Sequence, residues 1–139
     1  MTVYLDASVV VSLFVADANT LRAWRLVELH PVAVISLWTI AEFSSALGVQ
    51  DRMGRLKTKE RALAEAKLDQ WLGAGIEQIA PTAEDYLTVR RILRASQLNL
   101  RTPDALHLAL CGRLRADLAS FDKRMVQAAG ELGIPAIEI

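Results

Sequence analysis

The sequence predicts an α/β fold, a parallel sheet of four or five strands covered by helices on both faces. Three observations carry this expectation. Short apolar, strand-like runs alternate with longer amphipathic stretches along the whole chain. The strand-like runs lack polar alternation, as strands buried on both faces do. The 139 residues suffice for one compact domain but not for two, so a single domain over residues 1–139 is expected.

Each element has its own signal. Val3-Tyr4-Leu5 is a short run of strand formers that stops at Asp6. Asp6 is a good N-cap and Ser8 can support the same turn, so a helix is expected to follow despite the β-branched triplet Val9-Val10-Val11. Residues 20–30 carry Leu21, Trp24, Leu26 and Val27 near helical spacing, and Pro31 ends them. Residues 32–36 read as a buried strand, and helical periodicity runs from 37 to 53, where Gly54 stops it. Within that helix, residues 39–42 match the capping-box spacing, an ordinary structural use for Glu42. Residues 58–72 form a further helix with Leu63, Ala66, Leu68 and Trp71 as its buried face.

A modest strand is expected at 76–79, and Thr82 starts the next helix after Pro81. Around residue 102 another helix begins, with Thr102 as N-cap, Pro103 at the first helical position and Asp104 in the first turn. A strand at 118–120 leads into a helix starting near Asp122, and residues 136–139 read as a closing strand.

Composition excludes several classes. No apolar run approaches the ~20 residues that span a bilayer. The N-terminus enters an apolar run without a basic leader, so neither a signal peptide nor a membrane association is expected, and a cytoplasmic location follows. The one cysteine, Cys111, sits among apolar helical residues and reads as core packing in a reducing compartment. Formal charge is zero, so a polyanion would have to be held by a local patch or through a metal. Arg52, Arg55, Lys57, Lys59 and Arg61 form one such patch, and Lys123 and Arg124 another. Apolar residues make up 53% of the chain, enough to leave some over for a subunit or partner interface.

In an open parallel sheet the functional crevice lies outside the carboxyl ends of the strands. Asp6 follows the first strand, Asp122 the fourth, Glu42 lies early in the helix after the second, and Asp104 opens a helix leading to the fourth. Four acids can therefore approach one edge. Asp117 precedes the fourth strand and lies roughly 16 Å from Asp122, at the opposite edge. Clustered carboxylates repel one another unless protons or a cation compensate them, and oxygen-only donors suit Mg2+, with Mn2+ as the alternative. Acids with such an ion do phosphoryl transfer or phosphodiester hydrolysis. His107, one turn past Asp104, reads as a packed helix histidine with one satisfied nitrogen. Haloacid-dehalogenase phosphatases need an acid where Ser8 stands, and neither a receiver-domain acid pair, a Walker lysine loop nor a dinucleotide fingerprint is present.

Val3-Tyr4-Leu5-Asp6-Ala7-Ser8, Glu42, Thr102-Pro103-Asp104-Ala105-Leu106-His107-Leu108-Ala109 and Ser120-Phe121-Asp122-Lys123-Arg124 together resemble the PIN-domain ribonucleases. Among these, the VapC-type toxins of toxin–antitoxin pairs match best, over the whole chain in order. The resemblance implies a PIN-like three-layer α/β/α sandwich and a metal site of Asp6, Glu42, Asp104 and Asp122. It further implies supporting roles for Ser8, Thr102 and Ser120. Ser120 stands where many relatives have Thr, which keeps the hydroxyl. The implied activity is Mg2+-dependent endoribonuclease cleavage of structured RNA such as transfer or ribosomal RNA. The implied partners are a VapB-type antitoxin and a second copy of the chain. The alternative reading is a non-catalytic PIN-like module that binds RNA or a partner. Retention of all four acids, with their mutual repulsion, argues against it.

Overall fold

Four short parallel strands build the sheet in a computed structural model that describes residues 1–139. In chain order the elements are β1 (Val3–Leu5), α1 (Ala7–Phe14), α2 (Thr20–Leu29), β2 (Ala33–Ser36), α3 (Leu37–Arg52), α4 (Thr58–Gly73), β3 (Glu77–Ile79), α5 (Ala83–Ala95), α6 (Thr102–Leu114), β4 (Asp117–Ala119) and α7 (Lys123–Glu131). The spatial order is β3-β2-β1-β4, so the chain leaves β1 toward one side and returns on the other. Leu5 pairs with Ala119, which sets the ends of β1 and β4 side by side at the point where the strand order reverses.

Side-chain alternation along β1 divides the core into two layers. Val3 and Leu5, with Ala33, Ile35 and Ala119, pack under α1–α4 against Val10, Leu26, Phe43 and Leu68. Tyr4, Val34 and Leu118 point the other way, against Val89, Leu106, Leu110 and Met125 of α5–α7. The result is the expected three-layer α/β/α sandwich.

Several boundaries differ from the sequence reading. Residues 136–139 form no strand; Ala136 makes a single parallel bridge to Leu118, so the sheet has four strands. Leu21 and Leu63 are 86% and 55% exposed, and Ala66 is exposed too; Ala64 and Leu68 form the buried face of α4. Hydrophobic spacing locates a helix but does not say which apolar residues a neighbour covers. The α3 capping box joins Ser36 and Thr39 rather than Thr39 and Glu42, because the helix starts directly at the end of β2. Glu42 is thereby freed from capping. At α6 the N-cap is Arg101, without a side-chain cap bond; Thr102 is the first helical residue, exposed, with Pro103 behind it. No helix is long and apolar enough to cross a membrane.

Candidate active site

The site is built where β1 and β4 end. Asp6 caps α1 and is 3% exposed, its Oδ1 accepting from Val9 N–H at 3.2 Å. Ser8 Oγ donates to the same oxygen at 2.6 Å, and Ser120 Oγ donates to Oδ2. Both hydroxyls also accept backbone hydrogens from the β4–α7 connection: Phe121 N–H to Ser8 at 2.9 Å and Asp122 N–H to Ser120 at 3.0 Å. The two serines therefore tie Asp6 to the chain that carries Asp122. Asp122 in turn caps α7, its Oδ1 accepting from Arg124 N–H and Met125 N–H.

Glu42 enters from α3. Its Oε2 lies 3.2 Å from His107 Nε2, while its Oε1 is buried and has no hydrogen-bond partner. Trp38 Nε1, one turn earlier on α3, is the other buried side-chain polar atom without a partner. An acceptor and a donor thus stand open on one stretch of α3, where buried polar groups are ordinarily satisfied. Asp104 sits in the first turn of α6, half-buried.

Electrostatics show which acids sense one another. Burial pushes the Asp104 carboxyl above its ordinary value, and the charges of Asp122 and Glu42 push it the same way, against the Arg101 backbone and His107. Burial also raises Asp6, opposed by the Ser120 and Ser8 hydroxyls, His107 and the Val9 amide. Asp104, Asp122 and Glu42 therefore lie near one another, and Asp6 is tied to Asp122 through the serine bridge.

As the side chains stand, no three His, Cys, Asp or Glu groups are arranged to hold a metal ion. The residues nonetheless suit a hard divalent ion: the donors are all carboxylate oxygens, and one of them, Glu42 Oε1, is buried with nothing to accept from. A groove of about 360 Å³ opens beside Glu42, lined by Ser8, Ser12, Asp17, Asn19 and Phe121. Asp117, at the start of β4, lies away from this edge, as the strand direction requires.

The amino-acid sequence matches the PIN domain over residues 3–131. This chain belongs to the PIN domain family. Curated proteins include no match to it. Solved structures share the fold at low identity. Mycobacterium tuberculosis VapC20, described as a toxin that cleaves the sarcin–ricin loop, superposes with a TM-score of 0.75 at 18% identity, covering 99% of both chains. VapBC2 from Rickettsia felis, bound to a DNA fragment from its promoter, gives 0.72 at 18% identity, covering 99% of this chain and 98% of that one. FitAcB from Neisseria gonorrhoeae gives 0.70 at 17% identity, covering 98% and 96%.

Two residues of this PIN domain escape a reading by sequence alone. His107 is packed, at 1% exposure, but both of its ring nitrogens are engaged, and one of them reaches Glu42. Tyr4, apparently a plain strand residue, places its hydroxyl 2.7 Å from His107 Nδ1. The available signal is weak: a tyrosine within a buried strand needs a partner for its hydroxyl. Thr102, in contrast, is the first residue of α6 and not its cap.

Proposed function

We propose that this protein is a divalent-metal-dependent endoribonuclease of the VapC type, the toxin of a toxin–antitoxin pair. The observation that carries the reading is the acidic strand edge: Asp6, at the end of β1, is tied through Ser8 and Ser120 to the connection that carries Asp122, and Asp122 and Glu42 lie near enough to Asp104 in the first turn of α6 for their charges to push its carboxyl up. Such a group is unfavourable without a cation and useful with one. Support comes from the PIN family match and from structural neighbours that include a Klebsiella pneumoniae toxin–antitoxin complex and a sarcin–ricin-loop-cleaving toxin.

In this reading Asp6, Glu42, Asp104 and Asp122 would hold Mg2+ or Mn2+. When bound, such an ion supplies Lewis-acid polarisation of a phosphodiester and activates water for attack. The chain's own residues do the positioning. Ser8 and Ser120 hold both oxygens of Asp6 and leave the carboxylate little freedom to turn. Lys123 and Arg124, exposed beside Asp122, would meet RNA phosphates, as would Arg52, Arg55, Lys57 and Lys59 around the α3–α4 connection, where Arg61 is paired with Asp51. An antitoxin would cover the apolar cleft of about 610 Å³ lined by Leu13, Phe14, Trp24 and Trp71, which lies apart from the acids. A homodimer would cover further exposed apolar side chains such as Leu29 and Met53.

The test is cleavage of structured RNA by purified protein with Mg2+ or Mn2+, with and without EDTA. EDTA is expected to stop cleavage. Asp104→Asn and Asp6→Asn should each slow it by at least about a hundredfold while the protein still unfolds in one cooperative transition. Cleavage by Asp104→Asn at the parent rate, or indifference to EDTA, would overturn the reading.

A further inference from the structure

Tyr4, His107 and Glu42 form a line of side chains from three elements, β1, α6 and α3. Tyr4 Oη lies 2.7 Å from His107 Nδ1, 2.8 Å from Ser36 Oγ and 3.3 Å from Thr39 Oγ1. The tyrosine and histidine rings also meet edge-to-face, with centroids 5.6 Å apart. At the other end, His107 Nε2 faces Glu42 Oε2 at 3.2 Å. A carboxylate oxygen accepts, so the contact assigns the hydrogen to Nε2.

The rest of the line is consistent with that direction. Burial holds the Tyr4 phenol protonated, and it can donate to Nδ1 while Ser36 donates to it. Thr39 Oγ1 donates to Leu5 O at 3.3 Å. Every hydroxyl hydrogen then has one acceptor, and the ring is fixed at both nitrogens. Of the two Glu42 oxygens, one is taken by His107 and the other, Oε1, is buried and free of protein partners.

We propose that His107 is a positioning residue that orients the Glu42 carboxylate by donating from Nε2 to Oε2, so that Oε1 is presented to the cation. This rests on the reading of Glu42 as a ligand. His107 lies three residues past Asp104 in α6, and Tyr4 lies two before Asp6 in β1. α6 and the segment from β1 to the start of α1 thus supply two of the acids and the device that aims a third. Outer partners of this kind typically change metal affinity by about 10- to 100-fold.

The experiment compares His107→Gln and His107→Asn in the full chain, measuring Mn2+ affinity by calorimetry and stability by thermal melting. A glutamine amide reaches the position of Nε2 and an asparagine amide that of Nδ1. His107→Gln should therefore keep Mn2+ affinity within about threefold, and His107→Asn should lose about 10- to 100-fold, while both lose comparable stability. A purely structural histidine would give equal affinity in the two variants, and that result overturns the proposal. Parent protein that binds no Mn2+ overturns the ligand reading of Glu42, and the proposal with it. Should either variant fail to fold, nitrogen-15 NMR of the metal-free parent decides: an Nε2-bound hydrogen whose ring signals move in Glu42→Gln is expected. A ring protonated only at Nδ1, or one indifferent to Glu42→Gln, overturns the proposal.

Discussion

Asp6 shows how a buried carboxylate is tolerated in this protein. Its two oxygens accept from two serine hydroxyls and one backbone amide, yet burial still outweighs them and raises its pKa. Losing the Ser120 hydroxyl removes one donor and leaves Asp122 N–H without its acceptor. Ser120→Ala should cost about 1–3 kcal/mol in denaturant unfolding and push Asp6 higher still, as followed by carboxyl-carbon NMR titration. The pH dependence follows from the raised pKa values of Asp6 and Asp104. A carboxyl whose folded pKa exceeds its unfolded value contributes stability below the unfolded value and loses it as pH rises through the folded one. Metal-free protein should therefore lose stability relative to Asp6→Asn and Asp104→Asn as pH climbs from the ordinary value of 3.8 through the raised values. Chemical unfolding across that window checks the sign.

Helix starts bring the acids to the edge, and they differ in how they are made. Thr82 and Asp85 form a reciprocal box at α5, and Asp85 is also bound by Arg113 of α6 at 2.8 Å and 2.9 Å. Burial would raise Asp85, but the Arg113 and Thr82 hydrogen bonds outweigh it and hold the carboxyl below its usual range. This pair fastens α5 to α6, the helix that carries Asp104 and His107. Arg113→Ala leaves a carboxylate of 2% exposure with only its Thr82 bonds and should cost about 1–3 kcal/mol, less than a fully buried pair because Arg113 is itself 36% exposed. Here the pH sign is opposite: a depressed folded pKa contributes stability above the unfolded value and loses it as pH falls. The deficit of the Arg113→Ala variant should therefore vanish in acid, as a denaturation series would show.

The whole molecule separates packing from chemistry. The layers on either side of β1 contain few polar groups apart from those near the strand ends. Phe43, fully buried under α1 and α4, sits one residue from Glu42 and faces the core instead of the edge. Phe43→Ala should lower stability by about 3–5 kcal/mol in urea unfolding. Glu42→Gln should leave stability nearly unchanged while abolishing tight Mn2+ binding, measured by calorimetry. The contrast between these adjacent positions tests whether the edge acids are a functional group laid over an independent scaffold. Exposed apolar residues on α2 and α3, such as Leu21, Leu29 and Val49, belong to neither core layer, and the cleft near Trp24 and Trp71 opens at the outer side of the layer that holds Leu13. Their exposure is consistent with a partner of this chain, since large apolar patches mark interaction surfaces.

Much of this architecture was legible in local pattern. Unbroken apolar strands alternating with amphipathic helices specify a covered parallel sheet, and the acids after β1 and β4 mark its carboxyl edge, because both properties are periodic or adjacent in sequence. The start of α3 at residue 37 is legible, but its cap is not, because Thr39 and Glu42 share the spacing of a cap box. Only packing shows that Ser36, at the end of β2, is the cap. Likewise Thr102 has the chemistry of a cap, but the helix begins one residue sooner. The tertiary structure alone decided that the Tyr4 hydroxyl, His107 and Glu42 form one line. Tyr4 and His107 are 103 positions apart. No local pattern encodes such a contact; it arises because β1 and α6 bury the same face of the sheet. The sequence could therefore name the acids at the edge, but which oxygen of Glu42 remains free depended on how three distant elements pack.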